Sequence, residues 1–460
     1  MGSTQIILAF VLALVFVLLT IIKFNLHPFL SLILGGIIMG VVSGLDIIEV
    51  IAGLATGFGN TMAGIGILII SGIILGDLLH KSGAMEEIAN LLIEKLGADR
   101  TPLAMNLTGI IVSIPVFFDA AFVILVNLAK SLSKKGKIPF VSLVTSLSVG
   151  LIVTHAVVIP TPGPTSVAGT LNANVGWFIF YGIIVSLIGA TVGGVVYGRY
   201  IGNTDEFKND FANAFDDEAE VLESKKQSTA RPSGGLGILL ILFPILLILL
   251  GSIFTMVLDE GTSMYTFFRV IGDKNIALLI SVFVAYFALR PYLAENLNEI
   301  TSGSTTSAGS ILAITGAGGS FGAIIGMSGI GDVIVDAMSG LTGSSVGLII
   351  IIVAYLVSAL LRMAQGSTTV ALVTTSAIFA PILLGVTGVS SVLVGLAICA
   401  GGAGYSLPND SGFWVVSRFS KLTTTQTLKT WTAGGTIASL VTLAAIVVLS
   451  FLSGLLPGLI

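Results

Sequence analysis

The chain has 460 residues, of which 55% are hydrophobic and 10% are charged, and its mean hydropathy is +1.06. No water-exposed globular surface tolerates this balance, so the apolar surface must face lipid. The single cysteine, Cys399, excludes an intramolecular disulfide framework and a cysteine metal cluster. The net charge of −4 says little about partners. We expect no nucleic-acid partner, no metal and no cofactor, and homo-oligomerisation stays open.

Long apolar stretches recur along the chain, and a membrane-spanning helix needs ~20 mostly apolar residues. Two or three such stretches could form an anchor, whereas this many indicate a multi-pass protein of the cell (cytoplasmic or inner) membrane. The first stretch lacks a basic segment before it and a small-residue cleavage pattern after it, so we expect it to stay as a helix. The stretches lie at residues 5–22, 29–44, 61–79, 176–196, 235–258 and 431–452.

Residues 201–234 differ in composition from the rest of the chain. An acidic run at 205–223 is followed by Lys225, Lys226 and Arg231. We predict a soluble cytoplasmic linker between two membrane halves. An acidic run can also bind a metal or a partner, but like-charged blocks are usually disordered and self-repelling, which favours the linker interpretation.

The two halves of the chain match at an offset of 246 residues, which pairs Ser82 with Ser328. Two helix-breaking stretches also coincide, because residues 113–119 fall on 359–365 and residues 155–166 fall on 401–412. Corresponding Gly- and Pro-interrupted segments are typical of transporters built from repeats, whose substrate site lies where the helices unwind. The same offset pairs Gly72 with Gly318, Gly76 with Gly322, Gly83 with Gly329 and Pro162 with Pro408.

The charges of matched loops indicate that the repeats are inverted. Residues 130–137 carry four lysines and their partners at 376–383 carry none, so the positive-inside rule places the first loop in the cytoplasm and the second outside. Two re-entrant hairpins and ten crossing segments then place both termini outside the cytoplasm. In this arrangement 17 of the 20 Lys and Arg residues are cytoplasmic, Arg269 and Lys274 are outside, and Arg362 is embedded.

The predicted fold is an all-α, multi-pass membrane protein with two inverted-topology repeats, each holding a re-entrant hairpin and a discontinuous helix. Non-helical backbone at membrane depth survives only where protein or water satisfies its polar groups, so we expect the breaks to meet in a polar cavity. The predicted regions are N-terminal transmembrane helices (1–60), repeat 1 (61–200) with the hairpin 103–130 and a broken helix near 155–166, the linker (201–234), connecting scaffold helices (235–306), repeat 2 (307–430) with the hairpin 346–380 and a broken helix near 401–412, and a C-terminal helix (431–460).

Asp119 stands beside Phe117, Phe118 and Phe122 in the first hairpin. An ionised carboxylate is costly in apolar surroundings, which favours the protonated form and makes Asp119 a candidate proton carrier. The alternative is a carboxylate that only holds the hairpin in shape through hydrogen bonds to its amides. His155, which titrates near physiological pH, and Asp410, in the matching break, are the alternative proton carriers.

The broken helices supply further candidate contacts. Thr161 and Gly163 lie in a run of three prolines, which remove N–H donors, and Gly163 permits close backbone approach. The alternative there is a simple loop between helices. His155 is either a hydrogen-bonded core residue or a ligand contact. The contacts predicted in the second break are Asn409, Asp410 and Ser411, and Asp410 can also cap the helix beginning at Ser411.

Arg362 is the one cation that we predict at membrane depth. Its guanidinium can bind a carboxylate substrate through two parallel hydrogen bonds, or it can stabilise the hairpin or snorkel towards the surface. The residues after it would close the hairpin tip and offer hydroxyls and helix N-terminal N–H groups to an anion, although Ser and Thr are also common in membrane packing. These predicted contacts are Gln365, Ser367, Thr368 and Thr369.

Several stretches resemble motifs of the gluconate permease family of proton symporters, and the resemblance covers nearly the whole chain. It implies transport of gluconate, a related sugar acid or D-serine, and a fold with inverted repeats and paired hairpins. Familiar members have glutamate where this chain has Asp119, which keeps the acid and shortens its reach. The third and fourth motifs are more similar to the gluconate branch than to the D-serine branch. The motifs are FFDAAFVIL (117–125), THAVVIPTPGPTS (154–166), RMAQGSTTVAL (362–372), NDSGFWVVSRF (409–419) and LKTWT (428–432).

We therefore predict proton-coupled symport of gluconate or a closely related sugar acid into the cell by alternating access. The expected partners are a small organic anion, the proton and the lipid bilayer. A sodium-coupled organic-anion carrier and a D-serine transporter of the same architecture are the alternatives. A membrane enzyme is disfavoured because the sequence lacks a metal cluster, a nucleotide loop and Ser-His-Asp spacing. A channel is disfavoured because the inverted repeat contains two charged breaks.

Overall fold

The computed structural model describes residues 3–24, 26–97, 100–209, 231–330, 333, 344–386, 388–408 and 410–459. Over these residues the regular structure is entirely helical, which confirms the all-α prediction. Among them, eight helices are long and apolar enough to cross a membrane, and five shorter apolar helices accompany these eight. The chain is thus a multi-pass membrane protein.

Three helices form the N-terminal part: α1 (Ser3–Ile22), α2 (Pro28–Ser43) and α3 (Ile47–Lys81). Proline starts α2, where its missing N–H would have had no helical partner in any case. Asp46 caps α3 by accepting the N–H of Ile48 at 2.8 Å. Helix α3 runs without a break through residue 61, where the sequence placed the start of the first repeat.

Two interruptions divide the helices of the first half. The backbone leaves helical geometry at residues 113–117 and again at 158–161, where Pro115 and Pro160 each remove an N–H donor. Every residue of α7 is buried, so the second interruption lies in the protein interior. The helices are α4 (Ala84–Leu96), α5 (Thr101–Val112), α6 (Phe118–Gly136), α7 (Phe140–Val157), α8 (Pro162–Thr170), α9 (Val175–Ala190), a π-helical turn (Thr191–Val196) and α10 (Tyr197–Gly202).

The second half begins after the acidic linker, of which residues 210–230 lie outside the described residues. Near the ends of this linker, Lys429 contacts Glu206 at 2.7 Å and Arg231 contacts Glu87 at 3.4 Å. The helices that follow are α11 (Gly234–Val257), α12 (Ser263–Ile271), α13 (Lys274–Leu289), a 3-10 turn (Arg290–Tyr292), α14 (Leu297–Met327), α15 (Ser344–Gln365), α16 (Thr368–Gly385), α17 (Ser391–Ala403), α18 (Ser411–Phe419), α19 (Thr424–Thr427), a π-helical turn (Leu428–Thr432) and α20 (Ala433–Phe451).

Helix ends in the two halves coincide at the offset of 246 residues. Helices α3 and α14 end at matched positions, as do α7 and α17. Gly83 and Gly329 follow α3 and α14 in the left-handed conformation, with φ of 75° and 76°, which glycine adopts without steric cost. The predicted boundary at 306/307 falls inside the continuous helix α14. The inverted orientation of the repeats stays a prediction from the loop charges.

Matched glycines let α3 and α14 approach the interrupted segments closely. A Cβ atom on Gly76 would lie 2.2 Å from the carbonyl oxygen of Pro115, and one on Gly72 would lie 3.1 Å from that of Pro160. Their counterparts on α14 meet α16, because a Cβ on Gly318 would lie 2.5 Å from a methyl of Val373. The two long helices therefore support the broken segments of the fold.

The inverted arrangement predicts that the loop at residues 130–137 is cytoplasmic and that the loop before α12 is outside. In a Cys399→Ser background, Lys134→Cys should resist a membrane-impermeant maleimide added to intact cells, whereas Glu260→Cys should react. Both positions are exposed, whereas the neighbouring Ser133 is buried and donates to the carbonyl of Ile138 at 2.6 Å. Labelling Lys134→Cys from outside would contradict the inverted topology.

Candidate functional site

A cavity of about 180 Å³ lies where the interrupted segments of the two halves meet. It is smaller than the ~300–1,000 Å³ pockets that hold drug-sized ligands, so it fits a small molecule. Four interruptions are concerned: residues 113–117, residues 158–161, the break between α15 and α16, and the break between α17 and α18. All except 158–161 contribute to the wall, and α7 adds residues from its end just before 158–161. The wall consists of Phe117, Phe118, Asp119, Ile152, His155, Arg362, Gly366, Ser367, Thr368, Thr369, Asp410, Ser411, Gly412 and Trp431.

Three helices begin at this cavity: α6 at Phe118, α16 at Thr368 and α18 at Ser411. Ser367 caps α16 by accepting the N–H of Val370 at 3.4 Å. The first N–H groups of a helix have no partner within it and carry a partial positive charge, so each of these ends attracts an anion. Asp119 lies in the first turn of α6 and Asp410 caps α18, so two of these ends already carry a carboxylate. The start of α16 carries none, and it suits a negatively charged ligand.

Arg362 lies in the last turn of α15, and its side chain is buried at the cavity wall. One guanidinium nitrogen, Nη2, donates to Oδ2 of Asp410. The other two, Nε and Nη1, have no hydrogen-bond partner within the described part of the chain. Since buried donors are normally paired, these groups are available for a ligand carboxylate.

Asp410 combines three hydrogen bonds in one carboxylate. Its Oδ1 accepts the N–H of Gly412 at 3.0 Å, which makes it the N-cap of α18. Its Oδ2 accepts from Arg362 and from the hydroxyl of Ser406. Ser406 in turn accepts the indole N–H of Trp431 at 2.7 Å. The capping role that the sequence allowed for Asp410 is therefore observed together with an ion pair.

Asp119 faces the cavity from the first turn of α6 and is exposed there. Phe117 and Phe118 line the same cavity, so the predicted aromatic neighbours lie beside this carboxylate, although its side chain is exposed. Phe118 packs on Phe122 at 5.8 Å and on Trp431 at 4.8 Å between ring centroids. Asp119 is accordingly placed to contact ligand or water.

His155 is the contribution of α7 to the cavity. It is 7% exposed, its ring lies 5.9 Å from that of Phe117, and its Nδ1 has no hydrogen-bond partner among the described residues. Because Nδ1 makes no structural hydrogen bond within the described residues, this side chain can contact a ligand.

The remaining predicted contacts divide into two groups. Thr368, Thr369 and Ser411 line the cavity together with Ser367. Thr161 and Gly163 do not line it: Thr161 is buried and donates to the carbonyl of Val158 at 2.5 Å, and Gly163 packs against Leu372 of α16. Asn409 and the side chain of Gln365 lie outside the described residues.

Ser406 and Trp431 are site residues that sequence reasoning missed. Ser406 lies inside the second predicted break, so its position was a usable signal. Trp431 belongs to the LKTWT motif, but it was assigned only to the C-terminal helix. The π-helical turn Leu428–Thr432, a geometry frequent at functional sites, brings it to the cavity.

Comparison with known proteins identifies the family of this chain. The profile of the GntP family permeases matches residues 5–452 of this chain. The chain belongs to the GntP permease family. It is 32% identical over 440 residues to a gluconate permease of Pseudomonas aeruginosa, with 94% of each chain covered. It is also 32% identical over 447 residues to the D-serine transporter DsdX of Escherichia coli, with 96% of this chain and 97% of DsdX covered.

A solved structure supports the fold of the permease. The YdaH transporter of Alcanivorax borkumensis, described as having an unusual topology, superposes with a TM-score of 0.65 over 93% of this chain and 98% of its own. Its sequence identity is 15%, so the likeness concerns the fold. Because the family consists of permeases, the protein is a membrane transporter and not an enzyme.

Proposed function

We propose that the permease takes up gluconate or a closely related sugar acid together with a proton, by alternating access. The observation that carries this proposal is that Nε and Nη1 of Arg362 have no hydrogen-bond partner among the described residues, at a cavity that the start of α16 also lines. A guanidinium with such donors and helix N-terminal amides both favour a carboxylate.

The hydroxyl chain of a sugar acid also suits this cavity. Ser367, Thr368, Thr369 and Ser411 bring hydroxyls or backbone amides to its wall. Each hydroxyl can donate one hydrogen bond and accept two, which matches the donor and acceptor pattern of a polyol. The carboxylate would bind Arg362, and the hydroxyls would extend along the starts of α16 and α18.

D-serine is a second candidate substrate because of Asp119. Its carboxylate could bind Arg362 while its ammonium binds the exposed carboxylate of Asp119, which lines the same cavity. The similarity to DsdX supports D-serine as this second candidate.

Direct competition distinguishes the two substrates: gluconate should displace bound gluconate from the purified permease at lower concentration than D-serine does.

Asp119 is our candidate for the proton carrier. It faces the cavity, so it can exchange protons with water and can sense the charge of the substrate. Loading an anion together with a proton leaves the net charge of the occupied site unchanged. We infer that this neutrality permits one half of the transporter to move against the other, whereas an ionised Asp119 beside the empty site opposes the movement.

Replacing Arg362 by glutamine should abolish gluconate binding. The change removes the cation that receives the carboxylate, and losing one partner of a buried charged pair typically costs ~3–5 kcal/mol, or about 100-fold or more in affinity. Equilibrium binding of radiolabelled gluconate to purified protein measures the effect. The control is Arg269→Gln, since Arg269 lies on α12 away from this cavity. Equal affinity in folded Arg362→Gln and wild type would refute the role of Arg362.

Replacing Asp119 by asparagine should uncouple transport from the proton gradient. The amide keeps the size and many hydrogen bonds of the carboxylate but cannot carry a proton, so accumulation should be lost while exchange of gluconate persists. The measurement is radiolabelled gluconate uptake into proteoliposomes with an imposed pH gradient. Accumulation by the mutant in response to that gradient would exclude Asp119 as the carrier, and uptake that requires sodium instead would favour the sodium-coupled alternative.

A further inference from the structure

Trp431 determines which groups donate and which accept in the hydrogen bonds that lead to Asp410. An indole N–H can only donate, so the Oγ of Ser406, 2.7 Å away, must accept from it. The hydroxyl proton of Ser406 is then directed to Oδ2 of Asp410, its one acceptor among the described residues. If Asp410 donated to Ser406 instead, this buried hydroxyl proton would lose its partner, which is unfavourable.

The other hydrogen bonds of Asp410 also come from donors. Oδ2 accepts from Arg362 as well as from Ser406, and Oδ1 accepts the N–H of Gly412. Because Oδ2 faces two donors, its hydrogen bonds are satisfied when it acts as an acceptor.

We propose that Trp431 and Ser406 are positioning residues for anion binding, which hold Oδ2 of Asp410 as a hydrogen-bond acceptor against Arg362. In this arrangement Asp410 binds Nη2 of the guanidinium, and Nε and Nη1, which have no partner among the described residues, remain for the substrate. This inference rests on the function proposed above and adds the residues that fix its binding geometry.

Few other charged or titratable groups face Asp410. Within the described part of the chain they are Arg362 from α15, Asp119 from α6 and His155 from α7. Lys429 lies on the same π-helical turn as Trp431, but it contacts Glu206 at 2.7 Å.

The test replaces Trp431 by phenylalanine, which keeps an aromatic ring against Phe118 and removes the N–H donor. Ser406 then loses the donor that directs its hydroxyl towards Asp410. Gluconate binding near neutral pH should weaken by about tenfold, the size expected for a lost charge-assisted arrangement.

Trp414→Phe is the matched control. Its indole also donates at 2.7 Å, to the carbonyl of Pro408, but Trp414 is exposed and does not line the cavity. This variant should keep the affinity of the wild type. Ser406→Ala should behave like Trp431→Phe. If Trp431→Phe and Ser406→Ala both bind gluconate with wild-type affinity, the positioning role is overturned.

A second measurement needs no substrate. The chain contains three tryptophans, Trp177, Trp414 and Trp431, so ¹⁵N-indole labelling gives three resolved N–H signals. Ser406→Ala and Asp410→Asn should both shift the Trp431 signal and leave the Trp414 signal in place. If wild-type permease fails to bind gluconate, the proposed function fails, but these shifts still test the hydrogen bonds from Trp431 to Ser406 and from Ser406 to Asp410. A Trp431 signal that does not move in Ser406→Ala overturns the positioning role.

Discussion

Arg362 and Asp410 form a buried ion pair, and the rest of the site is arranged around the cost of burying it. Desolvating two charges costs several kcal/mol per ion unless further hydrogen bonds compensate. Asp410 receives its compensation from Gly412 at the start of α18 and from Ser406. Arg362 receives less, because Nε and Nη1 have no partner within the described residues. Arg362 lines the cavity, and we infer that the substrate carboxylate binds its Nε and Nη1.

Interrupted helices make this arrangement achievable in a membrane. Each interruption exposes helix N-terminal amides that a continuous helix would pair internally, and lipid could not satisfy them. Three of the helix starts lie at one cavity, and α3 and α14 pack against the broken segments. Gly76 is the clearest example, because any side chain there would collide with the carbonyl of Pro115. Transport by movement of one half against the other would preserve these contacts within each half.

Much of the fold and part of the site were predictable from local sequence. Apolar length indicates the membrane helices, and prolines such as Pro115 and Pro160 indicate the interruptions. Arg362 and Asp410 were each identified, but their pairing was not, since 48 residues separate them and only tertiary packing joins them. The same limit applies to Trp431, which a π-helical turn brings to the cavity.

Two differences from the predicted site have equally local causes. Asp119 was expected to be enclosed because its neighbours in sequence are aromatic; Phe117 and Phe118 do line the same cavity, but successive residues of a helix point in different directions and the Asp119 side chain is exposed. Thr161 and Gly163 lie at a true interruption of the chain but do not line the cavity, because Thr161 donates to the carbonyl of Val158 and Gly163 packs against α16. Sequence identifies where a helix breaks, whereas the direction of each side chain at the break depends on packing.

A structure of the permease with gluconate bound tests the central claim most directly. The account predicts the carboxylate within hydrogen-bond distance, about 2.7–3.2 Å, of Nε or Nη1 of Arg362, with Asp410 still bound to Nη2 and the hydroxyls along the starts of α16 and α18. Gluconate bound elsewhere, or bound in this cavity with its carboxylate directed away from Arg362, would contradict it.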